Sequence, residues 1–123
     1  LTTRVWSGAP SPLPAMAAAL SQRYGTDLST ISANLYRDGR DSVAWHGDRV
    51  RRRRAHTVVA IVSLGAARRF LLRPTGGGAS VRLTPAAGDL LVLGGTCQST
   101  WQHSVPKVAA SGPRISIMFR EAY

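Results

Sequence analysis

His46 and Asp48 stand two residues apart in SVAWHGDRVRRRR (42–54), and a second histidine, His103, follows much later in TWQHSVPK. Residues i and i+2 of a strand share a face, so an imidazole and a carboxylate at this spacing can both reach one metal ion. A histidine from a distant strand completes a set of two imidazoles and one carboxylate with coordination positions left open. Such a set favours non-haem Fe(II) that takes a cosubstrate and dioxygen, whereas a closed zinc site more often draws on cysteines. H-x-D alone is common by chance, and the same stretch also reads as a strand running into a solvated block of charge.

The elements that must hold these groups are mostly strands. After Gly25 the chain breaks into short apolar or alternating runs separated by Gly, Pro and Asp, which predicts strands near 31–37, 42–47, 57–64, 68–73, 80–84, 89–93, 100–105 and 114–121. RPTGGGAS (73–80) is a flexible turn. Before them, SPLPAMAAALSQRYG predicts one helix with Ser11 as N-cap, Pro12 at the first helical position and Gly25 just past its end. Leu13, Met16, Leu20 and Tyr24 recur at helical spacing as an apolar stripe, so this helix should lie on a flat surface. Eight strands with one helix outside predict a mainly β fold, a two-sheet jelly roll or related barrel, in one domain over residues 1–123. In RISIMFR, Ile115, Ile117 and Phe119 share one face, and Arg114, Ser116, Met118 and Arg120 the other. Asn34 and Tyr36 in NLYRDG share a face by the same rule, and Trp45 and Gly47 face away from His46 and Asp48.

Composition narrows the partners. The formal charge is +10, from fifteen arginines and Lys107 against six acids. That balance favours a polyanion such as nucleic acid, although a GC-rich genome produces the same excess of Arg over Lys. No apolar run has the length of a membrane span, and Leu1 to Trp6 has no signal-like core. The absence of an initiator methionine suggests that something upstream is left out. A lone cysteine, Cys97, forms no internal disulfide and reads as a small packed side chain, which fits a reducing, cytoplasmic setting.

Taken in order, NLYRDGRDSVAWHGD, SLGAARRFLLRP, GDLLVLGGTCQSTWQHSVPK and PRISIMFR resemble the AlkB family of Fe(II)/2-oxoglutarate-dependent dioxygenases, over about Asn34 to Arg120. The resemblance implies a double-stranded β-helix, the jelly roll predicted from the strand pattern, with the N-terminal helix packed outside. It implies Fe(II), 2-oxoglutarate and O2, and the oxidative removal of alkyl groups from nucleic-acid bases. By position, His46, Asp48 and His103 match the iron ligands. Arg114 matches the arginine that clamps the distal carboxylate of 2-oxoglutarate, and Tyr36 the tyrosine that assists it. Asn34 and Arg120 match residues that hold the other end of the cosubstrate and order the site. A planar guanidinium fork suits this task, because it gives a carboxylate two charge-assisted hydrogen bonds.

Two departures bear on substrate. DNA-active members commonly carry an acid two residues beyond the metal-binding Asp, where this chain has Val50. Only about thirty residues precede Asn34, too few for the family's nucleotide-recognition lid, so the chain reads as lid-less or N-terminally truncated. Arg51, Arg52, Arg53 and Arg54 are candidate phosphate contacts, and Arg69 matches a basic residue near the family's substrate mouth; a solvated loop and an outward strand residue are the plain alternatives. His56 lies outside any metal position, and Trp45 and Trp101 read as packing residues. GDLLVLGG lacks both the spacing and the lysine of a phosphate loop. The leading expectation is a monomeric dioxygenase acting on alkylated nucleic acid. The rivals are the same chemistry on a protein or small molecule, and a non-catalytic basic jelly roll that binds nucleic acid.

Overall fold

The structure, a computed structural model, describes residues 1–47 and 57–122. Its elements run β1 (Thr2–Val5), α1 (Leu13–Tyr24), β2 (Thr30–Tyr36), β3 (Val43–His46), β4 (Val59–Gly65), β5 (Phe70–Pro74), β6 (Val81–Leu83), β7 (Leu90–Leu93), α2 (Cys97–Thr100), β8 (Trp101–Val105) and β9 (Arg114–Arg120). The strands form two antiparallel sheets, of order β1-β2-β9-β4-β7 and β3-β8-β5-β6. This is the jelly roll expected from the strand pattern, with α1 on the outside.

Alternation along β9 decides what each sheet face does. Ile117 and Phe119 join Ile31, Ala33 and Ala60 on the outer face, where Leu13 and Ala17 of α1 pack against them and Met16, Leu20 and Tyr24 flank the contact. The apolar helical stripe therefore meets the flat surface that its spacing required. Arg114, Ser116, Met118 and Arg120 take the opposite face, toward the second sheet. There Tyr36, Val59, Ile61, Phe70, Leu93, Val105 and Met118 form a second apolar cluster, with Cys97 packed at its margin.

Three details differ from expectation. The N-cap of α1 is Pro12 rather than Ser11, because the first turn is set by backbone bonds from Leu13 N–H to the Pro10 carbonyl and from Met16 N–H to the Pro12 carbonyl. Gly25 ends the helix in the left-handed region (φ 68°), as expected. Strand β1 is an addition to the strands that the sequence predicts. All four of its residues are exposed, so it lacks the alternating signature and holds its place as an edge strand through its ladder with β2. The short helix α2 is likewise an addition; four donors, the backbone N–H and the hydroxyl of both Ser99 and Thr100, converge on the Thr96 carbonyl to close it. Among the described residues no helix is long and apolar enough to cross a membrane.

Candidate active site

His46 and His103 face each other directly across the β3·β8 ladder. Their ring centroids lie 4.2 Å apart with the planes at 62°. A β-bulge between Val43 and His46 makes this pairing useful. Strict alternation would put these two residues, three apart, on opposite faces; the bulge re-aims the strand so that both line the space between the sheets. His103 is buried, with its ring stacked on Phe70 at 5.2 Å and 16°. The Nδ1 of His46 lies 2.8 Å from the Ala44 carbonyl. As a donor to that carbonyl, Nδ1 carries the proton, and Nε2 becomes the nitrogen with a lone pair to offer a metal. Two imidazoles placed this way fit a divalent ion. Asp48, the expected third ligand, lies outside the described residues, as do Val50, Arg51, Arg52, Arg53, Arg54 and His56.

The opposite wall of the cavity comes from the larger sheet. Asn34, Tyr36, Arg114 and Arg120 all line it, together with Ser116, Met118 and Ile61. Their placement follows from register: Tyr36 pairs with Arg114 and Asn34 with Ser116 across β2·β9. Arg114 is 2% exposed. Its Nη2 donates to Ser63 Oγ at 3.1 Å, and its Nε and Nη1 find no acceptor among the described residues. A guanidinium buried with donors unanswered is costly, and an arriving carboxylate is the partner that its fork fits. Burial pulls its pKa below the ordinary arginine value, with the Tyr36 phenol acting in the opposite direction. Burial also pushes the Tyr36 phenol up, with the Arg114 charge pulling it the other way, so the phenol keeps its proton and can donate. Thr3 Oγ1 donates to Asn34 Oδ1 at 2.8 Å, and Arg120 Nη2 points to Met118 Sδ at 3.4 Å.

Arg69 is exposed and is not part of the cavity wall. Its neighbour Arg68 is the buried one. Arg68 and Phe70 share a parity, and Phe70 points inward, which is the signal that separates the two arginines in RRF. Ser63 also escapes a reading of the sequence alone; it sits directly opposite Ser116 in the β4·β9 ladder, at an inward position of an otherwise apolar strand. Trp45 and Trp101 are half-buried, and the Arg73 guanidinium lies 4.1 Å from the Trp45 ring centre while bonding Gln102 Oε1, so Trp45 is a packing residue outside the cavity lining.

Gly65 ends β4 beside Arg114 with φ 80°, and a Cβ there would collide with the Pro113 carbonyl oxygen. Gly65→Ala is expected to lower stability by about 2–3 kcal/mol in chemical denaturation, because relief of the clash must move the strand end that carries Arg114.

The described geometry places two imidazoles opposite a buried arginine with unanswered donors inside a jelly roll. Residues 1–120 match the family model of the 2OG-Fe(II) oxygenase superfamily, and the chain belongs to that superfamily. Among characterised proteins it is 34% identical over 114 residues to bovine (Bos taurus) "Alpha-ketoglutarate-dependent dioxygenase alkB homolog 3", a match covering 85% of this chain and 40% of that one. It is likewise 34% identical over 108 residues to human (Homo sapiens) "DNA oxidative demethylase ALKBH2", covering 79% of this chain and 41% of the relative. The chain thus spans about two fifths of the length of these relatives. In fold it is similar to the structure of OsALKBH1 (TM-score 0.71, 15% identity, 94% of this chain and 65% of that one). A Pseudomonas putida prolyl-4-hydroxylase shares the same fold (TM-score 0.67, 20% identity, 98% of this chain and 72% of that one).

Proposed function

We propose that this chain is the catalytic domain of an AlkB-like dioxygenase that removes alkyl groups from the bases of nucleic acid. The observation that carries the reading is that six candidate residues from two sheets, His46 and His103 on one side and Asn34, Tyr36, Arg114 and Arg120 on the other, line a single cavity. In this reading His46, Asp48 and His103 hold Fe(II). Iron with 2-oxoglutarate and dioxygen supplies the oxidation: one oxygen atom enters an alkyl C–H bond, and the other leaves in succinate as carbon dioxide is released. The Arg114 fork grips the distal carboxylate, and Tyr36 donates its hydroxyl to the same group. Asn34 and Arg120 hold the opposite end of the diacid and fix its direction. The buried cluster around Phe70, Val105 and Met118 keeps water from the reacting atoms. Hydroxylation of an N-methyl carbon gives a hemiaminal that falls apart to formaldehyde and the free N–H base.

The test is anaerobic loading of the chain with Fe(II) and 2-oxoglutarate, then admission of air with N-methylated single-stranded DNA. Succinate and formaldehyde in equal amounts support the reading; binding of the cosubstrate without either product overturns it. The lone Cys97 supports a cytoplasmic setting. The charge of +10 supports the nucleic-acid substrate. Replacement of Arg51, Arg52, Arg53 and Arg54 by alanine together is expected to weaken single-stranded DNA binding and to flatten its salt dependence. The log–log slope should fall by about 0.7 for each phosphate that is no longer neutralised, up to about 3 for all four. An unchanged slope in salt titrations rules them out as a phosphate handle.

A further inference from the structure

A second buried arginine shares Tyr36 with Arg114. The Arg68 guanidinium lies 5.6 Å from the centre of the Tyr36 ring and the Arg114 guanidinium 4.9 Å, and both arginines are 2% exposed. Arg68 does not answer an acid. Its Nη1 donates to the Asp38 carbonyl at 3.0 Å, and its Nη2 to the carbonyls of Asp41 and Pro106, each at 2.8 Å. Among the described residues no carboxylate lies within ion-pair distance of it, and its Nε finds no acceptor. The two acids beside it are engaged elsewhere: the Asp41 carboxylate turns to Arg37 and the chain's amino group, and the Asp38 carboxylate to Arg40.

Tying two loops together needs donors but no charge. A full cation kept dry against neutral carbonyls destabilises the chain unless something anionic uses its field. That field reaches the neighbouring site: the Arg68 charge is one of the influences that lower the Arg114 pKa. The phenol ring that both approach offers its electron-rich face to a guanidinium, which holds both cations near the wall where Tyr36 and Arg114 meet the cavity.

We propose that Arg68 is a positioning residue that acts through Tyr36 as the second cation of the cosubstrate pocket, selecting a 2-oxo acid with a second carboxylate over one without. This rests on the reading that Arg114 and Tyr36 hold 2-oxoglutarate. In a protein interior of effective dielectric about 20, a unit charge about 10 Å from an added carboxylate changes affinity by about tenfold. Clamping the loops, by contrast, affects every ligand of the cavity equally.

The experiment measures binding of 2-oxoglutarate and of 2-oxovalerate, which has a methyl group in place of the distal carboxylate, to the Fe(II)-loaded chain without oxygen, by the charge-transfer absorption of the bound 2-oxo acid. Arg68→Gln keeps donors for the carbonyls and loses the charge; Arg68→Lys keeps the charge. The glutamine variant is expected to bind 2-oxoglutarate about tenfold more weakly and 2-oxovalerate within about twofold of the original chain, and the lysine variant to keep the preference for the diacid within about threefold. Equal losses for both acids, no loss, or a lysine variant as impaired as the glutamine one overturn the proposal. If Arg68→Gln does not fold, Arg68→Lys decides alone: a tenfold drop in diacid preference with the charge retained overturns it. A native chain with no preference for 2-oxoglutarate sinks the cosubstrate reading itself, a result distinct from any failure of Arg68.

Discussion

His103→Ala is expected to abolish turnover and to leave a chain that no longer retains Fe(II) through gel filtration. Outer-shell partners of metal ligands typically account for about 10–100-fold in metal affinity or activity, so removal of a direct ligand should exceed about 100-fold. The fold should survive. The ring packs on Phe70 at one edge of the cavity, and the pairing of β5 with β8 is made by the backbone whatever side chain stands at 103. Iron content and far-UV circular dichroism therefore separate loss of metal from loss of structure. His46→Ala should behave in the same way, because the two rings are cross-strand neighbours. Full iron retention and turnover in either variant would show that the ligand assignment is wrong.

Arg114→Met is expected to raise the KM for 2-oxoglutarate by at least about 30-fold and at the same time to make the ligand-free chain more stable. The first effect is the loss of one partner from a desolvated charge pair, about 2–5 kcal/mol. The second arises because the free chain buries a guanidinium with two donors unanswered; an apolar side chain of similar length relieves that cost by about 1–2 kcal/mol. Opposite signs in the two measurements, thermal melting without ligand and cosubstrate kinetics, are the distinctive result. A destabilised ligand-free chain would show that Arg114 is structural. Arg114→Lys should restore affinity in part, since an ammonium keeps the charge but not the planar fork.

Period-two alternation makes most of this architecture legible. RISIMFR assigns Arg114 and Arg120 to one face and Ile117 and Phe119 to the other, and the structure has them so. The pairing of His46 with His103 is legible only as a spacing, because the bulge that aims His46 depends on a partner strand nearly sixty residues away. Strand β1 leaves no trace in the sequence: an exposed edge strand owes its conformation to its neighbour's unpaired backbone groups. The choice between Arg68 and Arg69 is open to the same parity argument that places Arg114. It is easily passed over because charged residues just ahead of a strand are usually solvated. Buried Ser63 is harder still, since its role follows from which arginine reaches it.

The direct opposition of His46 and His103 across one backbone ladder also bears on how such a domain can change over time. Neighbouring strands are fixed about 4.8 Å apart by their hydrogen bonds, so this jaw cannot widen or drift without unzipping the sheet. New binding preferences must then arise in the segments that frame the opening, which can be exchanged while the two imidazoles keep their spacing.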